Sequence, residues 1–156
     1  MADEAAISKL IAFDMDGTLL EGRVIYSLGQ RFGFTSKIED ITKSSRIAHE
    51  RSRRIAKLLR GIRVSEFIEI VRAIPLTKGV TQTVRHLQAE NYIGVISDRY
   101  TLATDILTNR LKLDFQVANK LEVRNGVITG RITMPLGWEK FGYRCRQSVC
   151  KHVIKK

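Results

Sequence analysis

The chain has 156 residues, 44% hydrophobic and 28% charged, which is enough for one domain with a real core. No apolar run approaches the roughly 20 residues of a membrane span. The acidic start Met1-Ala2-Asp3-Glu4 lacks the basic and apolar regions of a signal peptide, so the expected location is the cytoplasm, with no membrane partner.

In chain order, residues 7–13 read as a first buried strand. Residues 24–34 read as a helix stopped near Gly33. Residues 37–59 carry Ile38, Ile41, Ile47, Ile55, Leu58 and Leu59 at patchy helical spacing among many charges. Helical spacing returns at Val64, Phe67, Ile68 and Val71 and ends at Pro75. A helical block of about 55 residues before any second strand is too long for a simple βα crossover, so a helical insertion is expected. Val80, Val84 and Leu87 then share a helix face. Residues 92–96 form a continuous apolar run, as in a buried parallel strand, ending at Ser97-Asp98. Thr101 is placed to N-cap the next helix. Residues 115–118 read as a short third strand. Residues 121–130 alternate around Asn125-Gly126, the preferred two-residue hairpin turn. A last helix is expected through Cys145 to Ile154. Cys145, Cys150 and His152 lack zinc-site spacing and read as ordinary reduced residues.

The net charge of +11 leaves nucleic acid, a membrane surface or an anionic substrate open. It is concentrated in residues 43–63, with eight Lys/Arg and one acid, and residues 137–156, with six and one. A basic face needs no partner beyond water. Alternatively Arg53, Arg54 or Arg60 guides an anionic substrate. No aromatic residues interleave with these charges, so the stacking platform of a single-strand nucleic-acid binder is missing and nucleic acid is the weakest reading.

The chemistry is densest at Phe13-Asp14-Met15-Asp16-Gly17-Thr18-Leu19-Leu20. Side chains at i and i+2 of extended chain point the same way, so Asp14 and Asp16 can face one site at a strand tip. Two acids, a glycine turn and a hydroxyl suit one metal ion and one phosphate. A calcium loop fails, because the glutamate required at its twelfth position would fall on Ile25.

These residues resemble the first motif of the haloacid dehalogenase superfamily, and the chain as a whole resembles its phosphoserine phosphatase-like branch. Ile96-Ser97-Asp98 resembles the second motif, and Lys151, with Lys140 as fallback, the third-motif lysine. The resemblance implies an α/β fold with a Rossmann-like parallel sheet. It implies a core of residues 1–19 and 77–156, a helical cap at 20–76, and a hairpin near the C-terminus. It further implies a Mg²⁺-dependent phosphate monoester hydrolase. Asp14 would be the nucleophile and would bind Mg²⁺ together with Asp16. Asp16 would be the acid and base. Thr18 would support the pair, Ser97 would hold a phosphoryl oxygen and Lys151 would neutralise charge. Asp98 and the cap arginines, best matched at Arg53 and Arg54, would contact the substrate.

Two departures shape the expectation. The branch carries a fourth, acidic motif after one more strand, and no such loop occurs through Lys156. Activity is therefore expected to be impaired, and the first strand to present an open apolar edge that pairs with another copy or a completing partner chain. A truncated, non-catalytic protein binding a phosphate compound or a partner is the alternative. The second departure is Arg23, standing where the branch places a glutamate for the substrate's amino group. An arginine favours an extra anion, so another phosphorylated metabolite fits as well as phosphoserine. Arg99 also follows Ser97-Asp98 where the branch has small glycines.

Overall fold

The computed structural model describes residues 9–135. The expected last helix, both cysteines, Lys140 and Lys151 lie outside them. Among the described residues the architecture is α/β: a four-stranded sheet in the order β1-β2-β3-β4 with six helices. Strand β1 (Lys9–Phe13) pairs in parallel with β2 (Asn91–Tyr100), from Lys9 opposite Asn91 to Phe13 opposite Val95. Strand β2 pairs in parallel with β3 (Phe115–Arg124), and β3 pairs antiparallel with β4 (Val127–Thr133).

The first four of the five helices between β1 and β2 form the helical block: α1 (Val24–Phe32), α2 (Thr35–Ser44), α3 (Ala48–Leu58) and α4 (Val64–Ala73). Each buries one apolar face, for example Val24, Ile25 and Leu28 of α1 and Phe67 and Val71 of α4. The stretch expected to run as patchy helix over 37–59 is two helices broken at Ser45. There the backbone turns extended and the Ser45 hydroxyl donates to the Ile47 carbonyl. The chain enters and leaves this block side by side. Glu21 N–H donates to the Pro75 carbonyl and Thr77 N–H to the Leu19 carbonyl, both at 3.0 Å.

Helices α5 (Val80–Gln88) and α6 (Thr101–Leu111) flank β2. Thr101 is the first helical residue rather than the N-cap, which is Tyr100. The chain stays extended one residue longer than expected because β2 itself runs on to Tyr100. The expected third strand and the first hairpin arm are one continuous strand. Asn119 and Lys120 look like a break in sequence, but Asn119 is buried and paired in register with Tyr100. At the hairpin tip Asn125 (φ 51°) and Gly126 (φ 73°) both take the left-handed conformation a two-residue primed turn requires.

The loop between α3 and α4 docks on the hairpin. Gly61 N–H donates to the Ile128 carbonyl, Ile128 N–H to the Ile62 carbonyl and Val64 N–H to the Gly126 carbonyl, each at 2.9 Å. The helical block is thus anchored at both ends, by the Leu19–Thr77 stem and by β4. A single buried apolar cluster runs through both segments, from Met15, Leu28 and Ile38 to Phe67, Ile93 and Leu107. Among the described residues no helix is long and apolar enough to cross a membrane.

Candidate active site

Strand β1 stops at Phe13, and the next residues fold back on Met15, whose carbonyl accepts from the N–H groups of Thr18, Leu19 and Leu20. Met15 is fully buried, while Asp14 and Asp16 on either side of it are half-buried. The chain here turns rather than continuing as the expected extended strand tip; Met15 is the apolar anchor and its two acidic neighbours stay partly exposed.

Asp16 is held by both oxygens. Oδ1 accepts the Val24 N–H at 3.2 Å, at the first residue of α1, and Oδ2 accepts the Arg99 Nε–H at 2.8 Å. Its side chain is only 10% exposed. Burial raises its pKa above the ordinary value, outweighing the Arg99 ion pair and the Val24 hydrogen bond, which pull it down. Burial works against the Arg99 charge too, but the neighbouring Asp98 and Asp16 carboxylates outweigh it and keep the guanidinium protonated.

Arg99 reaches Asp16 because β2 carries two extra residues against β3. The register runs from Ile96 opposite Val117 to Tyr100 opposite Asn119. The irregularity spans Ser97, Asp98 and Arg99 and re-aims them, as bulges beside functional sites do. Ser97 is fully buried, and its Oγ accepts the Arg99 N–H at 3.1 Å. A hydroxyl keeps its own proton to donate when it accepts. Arg99 Nη1 also pairs with Asp98 Oδ1 at 3.2 Å, and Asn119 Nδ2 donates to the Asp98 carbonyl at 2.8 Å.

Of the residues singled out in the sequence, Asp16, Ser97 and Asp98 are joined through Arg99. Thr18 lies on the exposed turn, lining a small cavity with Lys78 and Gly79. Arg23 is exposed just before α1, its guanidinium 6.0 Å from the centre of the Tyr26 ring. Arg53 and Arg54 are exposed on α3, and Arg54 donates to the Ser44 hydroxyl at 3.0 Å. Arg60 lines a separate cavity of about 440 Å³ with Arg124, Arg131 and Glu122. In the sequence Arg99 stands only as a departure from the branch pattern, and Asn119, within a segment that resembles the branch, carries no expected role. The signal for Arg99 was available, because an arginine continuing a buried strand needs acidic partners.

Among the described residues no group of three or more His, Cys, Asp or Glu converges as a metal site. The Asp14 carboxylate and the Asp16 main-chain carbonyl are hard oxygen donors two residues apart in sequence, and the Asp16 side chain is already committed to N–H donors. That set fits a small hard cation of the Mg²⁺ type, which takes one or two protein oxygens and keeps several waters.

A family model for haloacid dehalogenase-like hydrolases matches residues 11–140. Curated relatives include a phosphoserine phosphatase of Lactococcus lactis, 34% identical over 131 residues, covering 81% of this chain and 61% of that protein. Another is a phosphoserine phosphatase of Archaeoglobus fulgidus, 34% identical over 129 residues, covering 80% and 38%. The chain thus spans less than two thirds of the length of these relatives. A solved phospho-aspartyl intermediate analogue of phosphoserine phosphatase superposes with a TM-score of 0.73 at 26% identity, covering 81% of this chain and 63% of that one.

Proposed function

Because the chain belongs to the haloacid dehalogenase-like hydrolase family, in its phosphoserine phosphatase-like branch, we propose that it carries the site of a phosphate monoester hydrolase working through an aspartyl-phosphate on Asp14. The observation that carries this reading is the meeting of the β1 tip with the β2 end, where Asp16 lies against Arg99 beside buried Ser97. Side chains at the carboxyl ends of neighbouring parallel strands are where an open α/β sheet binds ligands.

The Asp14 carboxylate attacks phosphorus, and the bond from phosphorus to the leaving oxygen breaks. Asp16 gives that oxygen its proton. Water then attacks the phosphorus of the aspartyl-phosphate, Asp16 takes a proton from the water, and the bond to Asp14 breaks to release phosphate. Such acid–base help is worth roughly 10²–10⁴-fold, and a carboxyl whose pKa is raised by burial suits it. The Ser97 hydroxyl donates its remaining proton to a phosphoryl oxygen. Mg²⁺ held by the Asp14 carboxylate and the Asp16 carbonyl would offset the repulsion between carboxylate and phosphate. Lys151, outside the described residues, would supply the compact positive charge of the third motif.

The substrate is a phosphorylated small molecule. Arg23, and Arg53 or Arg54 of α3, favour one carrying a second anionic group over one presenting only an ammonium. Strand β1 ends the described sheet, so its open edge would accept a further strand from a completing chain or a second copy. Phosphate release from an aryl phosphate and a panel of phospho-metabolites with Mg²⁺ tests the reading. Turnover is expected for the wild type and its loss in Asp14→Asn. A folded wild type that releases no phosphate would overturn it.

A further inference from the structure

Nothing in the proposed chemistry explains why a part-buried guanidinium stands beside Asp16. Arg99 is 19% exposed, and its two carboxylate partners come from different strand ends: Asp16 beyond β1, 83 residues away in sequence, and Asp98 in the β2 bulge. The Asp98 main chain is in turn fixed by Asn119 of β3, and the Arg99 main chain by the Ser97 hydroxyl. The contacts form a continuous chain: Asn119 to the Asp98 carbonyl, the Asp98 carboxylate to Arg99, and Arg99 to Asp16. It runs from the middle of β3 through the irregularity near the end of β2 to the turn after β1, where it reaches the side chain assigned the proton transfer. The planar guanidinium engages the two acids through different nitrogens in a fixed fork, which a flexible ammonium does not reproduce.

We infer that Arg99 is a positioning residue that fixes the Asp16 carboxylate, between the Val24 N–H and its own Nε–H, in the orientation from which the leaving oxygen is protonated. The inference rests on Asp16 acting as the acid of the proposed reaction. Arg99 itself neither contacts the phosphoryl group nor exchanges a proton.

The leaving group provides the test. An alkyl phosphate needs its departing oxygen protonated, whereas p-nitrophenolate leaves with little help. In the full chain with Mg²⁺, Arg99→Met is expected to lower kcat/KM, which reports aspartyl-phosphate formation and not its hydrolysis, by roughly 10–100-fold for an alkyl phosphate, the scale of a misplaced acid. For p-nitrophenyl phosphate kcat/KM should stay within about threefold, and Arg99→Lys should restore part of the loss. Equal losses on both substrates would mean a merely structural role, and a KM rise on both would make Arg99 a phosphate ligand. Either result overturns the inference. If the wild type hydrolyses neither ester, the hydrolase reading falls, and the clamp is then judged by thermal melting of Asp16→Asn, Arg99→Met and the double variant. A clamp predicts Tm losses that miss additivity by about 2 °C or more, while strict additivity refutes it.

Discussion

Gly94 lies in the middle of β2, three residues before Ser97, with Ala12 of β1 on one side and Phe115 of β3 on the other. The Phe115 ring folds over it and stacks on Tyr92, with centroids 5.7 Å apart and planes at 12°. A β-carbon at Gly94 would stand 2.5 Å from Cδ1, Cδ2 and Cε1 of that ring, about 1 Å inside ordinary contact. Two effects then compete in Gly94→Ala. Removing a strand glycine gains about 0.5–1 kcal/mol from the unfolded chain. Overpacking the ring costs about 1–3 kcal/mol. The clash wins in the wild-type background, so a net loss of about 0.5–2 kcal/mol is expected, a Tm drop of roughly 1–8 °C for a chain of this size. In a Phe115→Ala background the ring is gone, and the same substitution should change sign and stabilise by about 0.5–1 kcal/mol. Urea unfolding followed by circular dichroism on the four proteins of the cycle measures the coupling, expected at about 1–3 kcal/mol. A Gly94→Ala effect of the same sign and size in both backgrounds would refute the close-approach argument.

Met15, fully buried between the two acids, should cost about 2–5 kcal/mol on truncation to alanine, measured by the same unfolding assay. A loss under about 1 kcal/mol would mean that the turn can repack without it. Tyr100 is fully buried, and burial, partly countered by Arg99, pushes its phenol well above the ordinary value of 10.0. A group whose folded pKa is raised stabilises fully below its unfolded pKa, and that stability is lost as pH rises through the window up to the folded value. The wild type should therefore lose about 1.4 kcal/mol per pH unit above about pH 10 relative to Tyr100→Phe, compared by unfolding at about pH 9 and pH 11. Parallel pH profiles for the two proteins would contradict this.

Local chemistry was readable wherever one short segment decides the outcome. The strand before Asp14, the Asn125-Gly126 turn, the stop at Gly33 and the end of α4 before Pro75 all rest on a few adjacent residues, although that strand is not buried as expected: as an edge of the described sheet it leaves Lys9, Leu10 and Ala12 exposed. Outcomes decided by distant partners were not readable. The extension of β3 through Asn119 depends on the register of β2, and the break at Ser45 lies in a charged stretch whose period is too weak to mark a boundary. The docking of Gly61 and Val64 on β4 joins loops about 65 residues apart. At the site, sequence marks Asp16, Ser97 and Asp98 as strand-end polar groups. Only the fold reveals that a bulge in β2 turns Arg99 back toward β1 and links all three.

The charge balance at that site constrains what it needs to work. Asp14, Asp16 and Asp98 carry three negative charges when ionised and Arg99 one positive, a net of −2 before any substrate arrives. A phosphate monoester brings roughly two more negative charges, and like charges a few ångströms apart in a partly buried site repel by several kcal/mol. Arg99 does not relieve this, because its fork is already spent on two acids, and removing either acid would leave a part-buried guanidinium less well compensated. In the proposed reaction that excess is what a divalent cation on Asp14 and a lysine at the phosphate would offset. The family pattern supplies these same two groups, so one electrostatic requirement accounts for both.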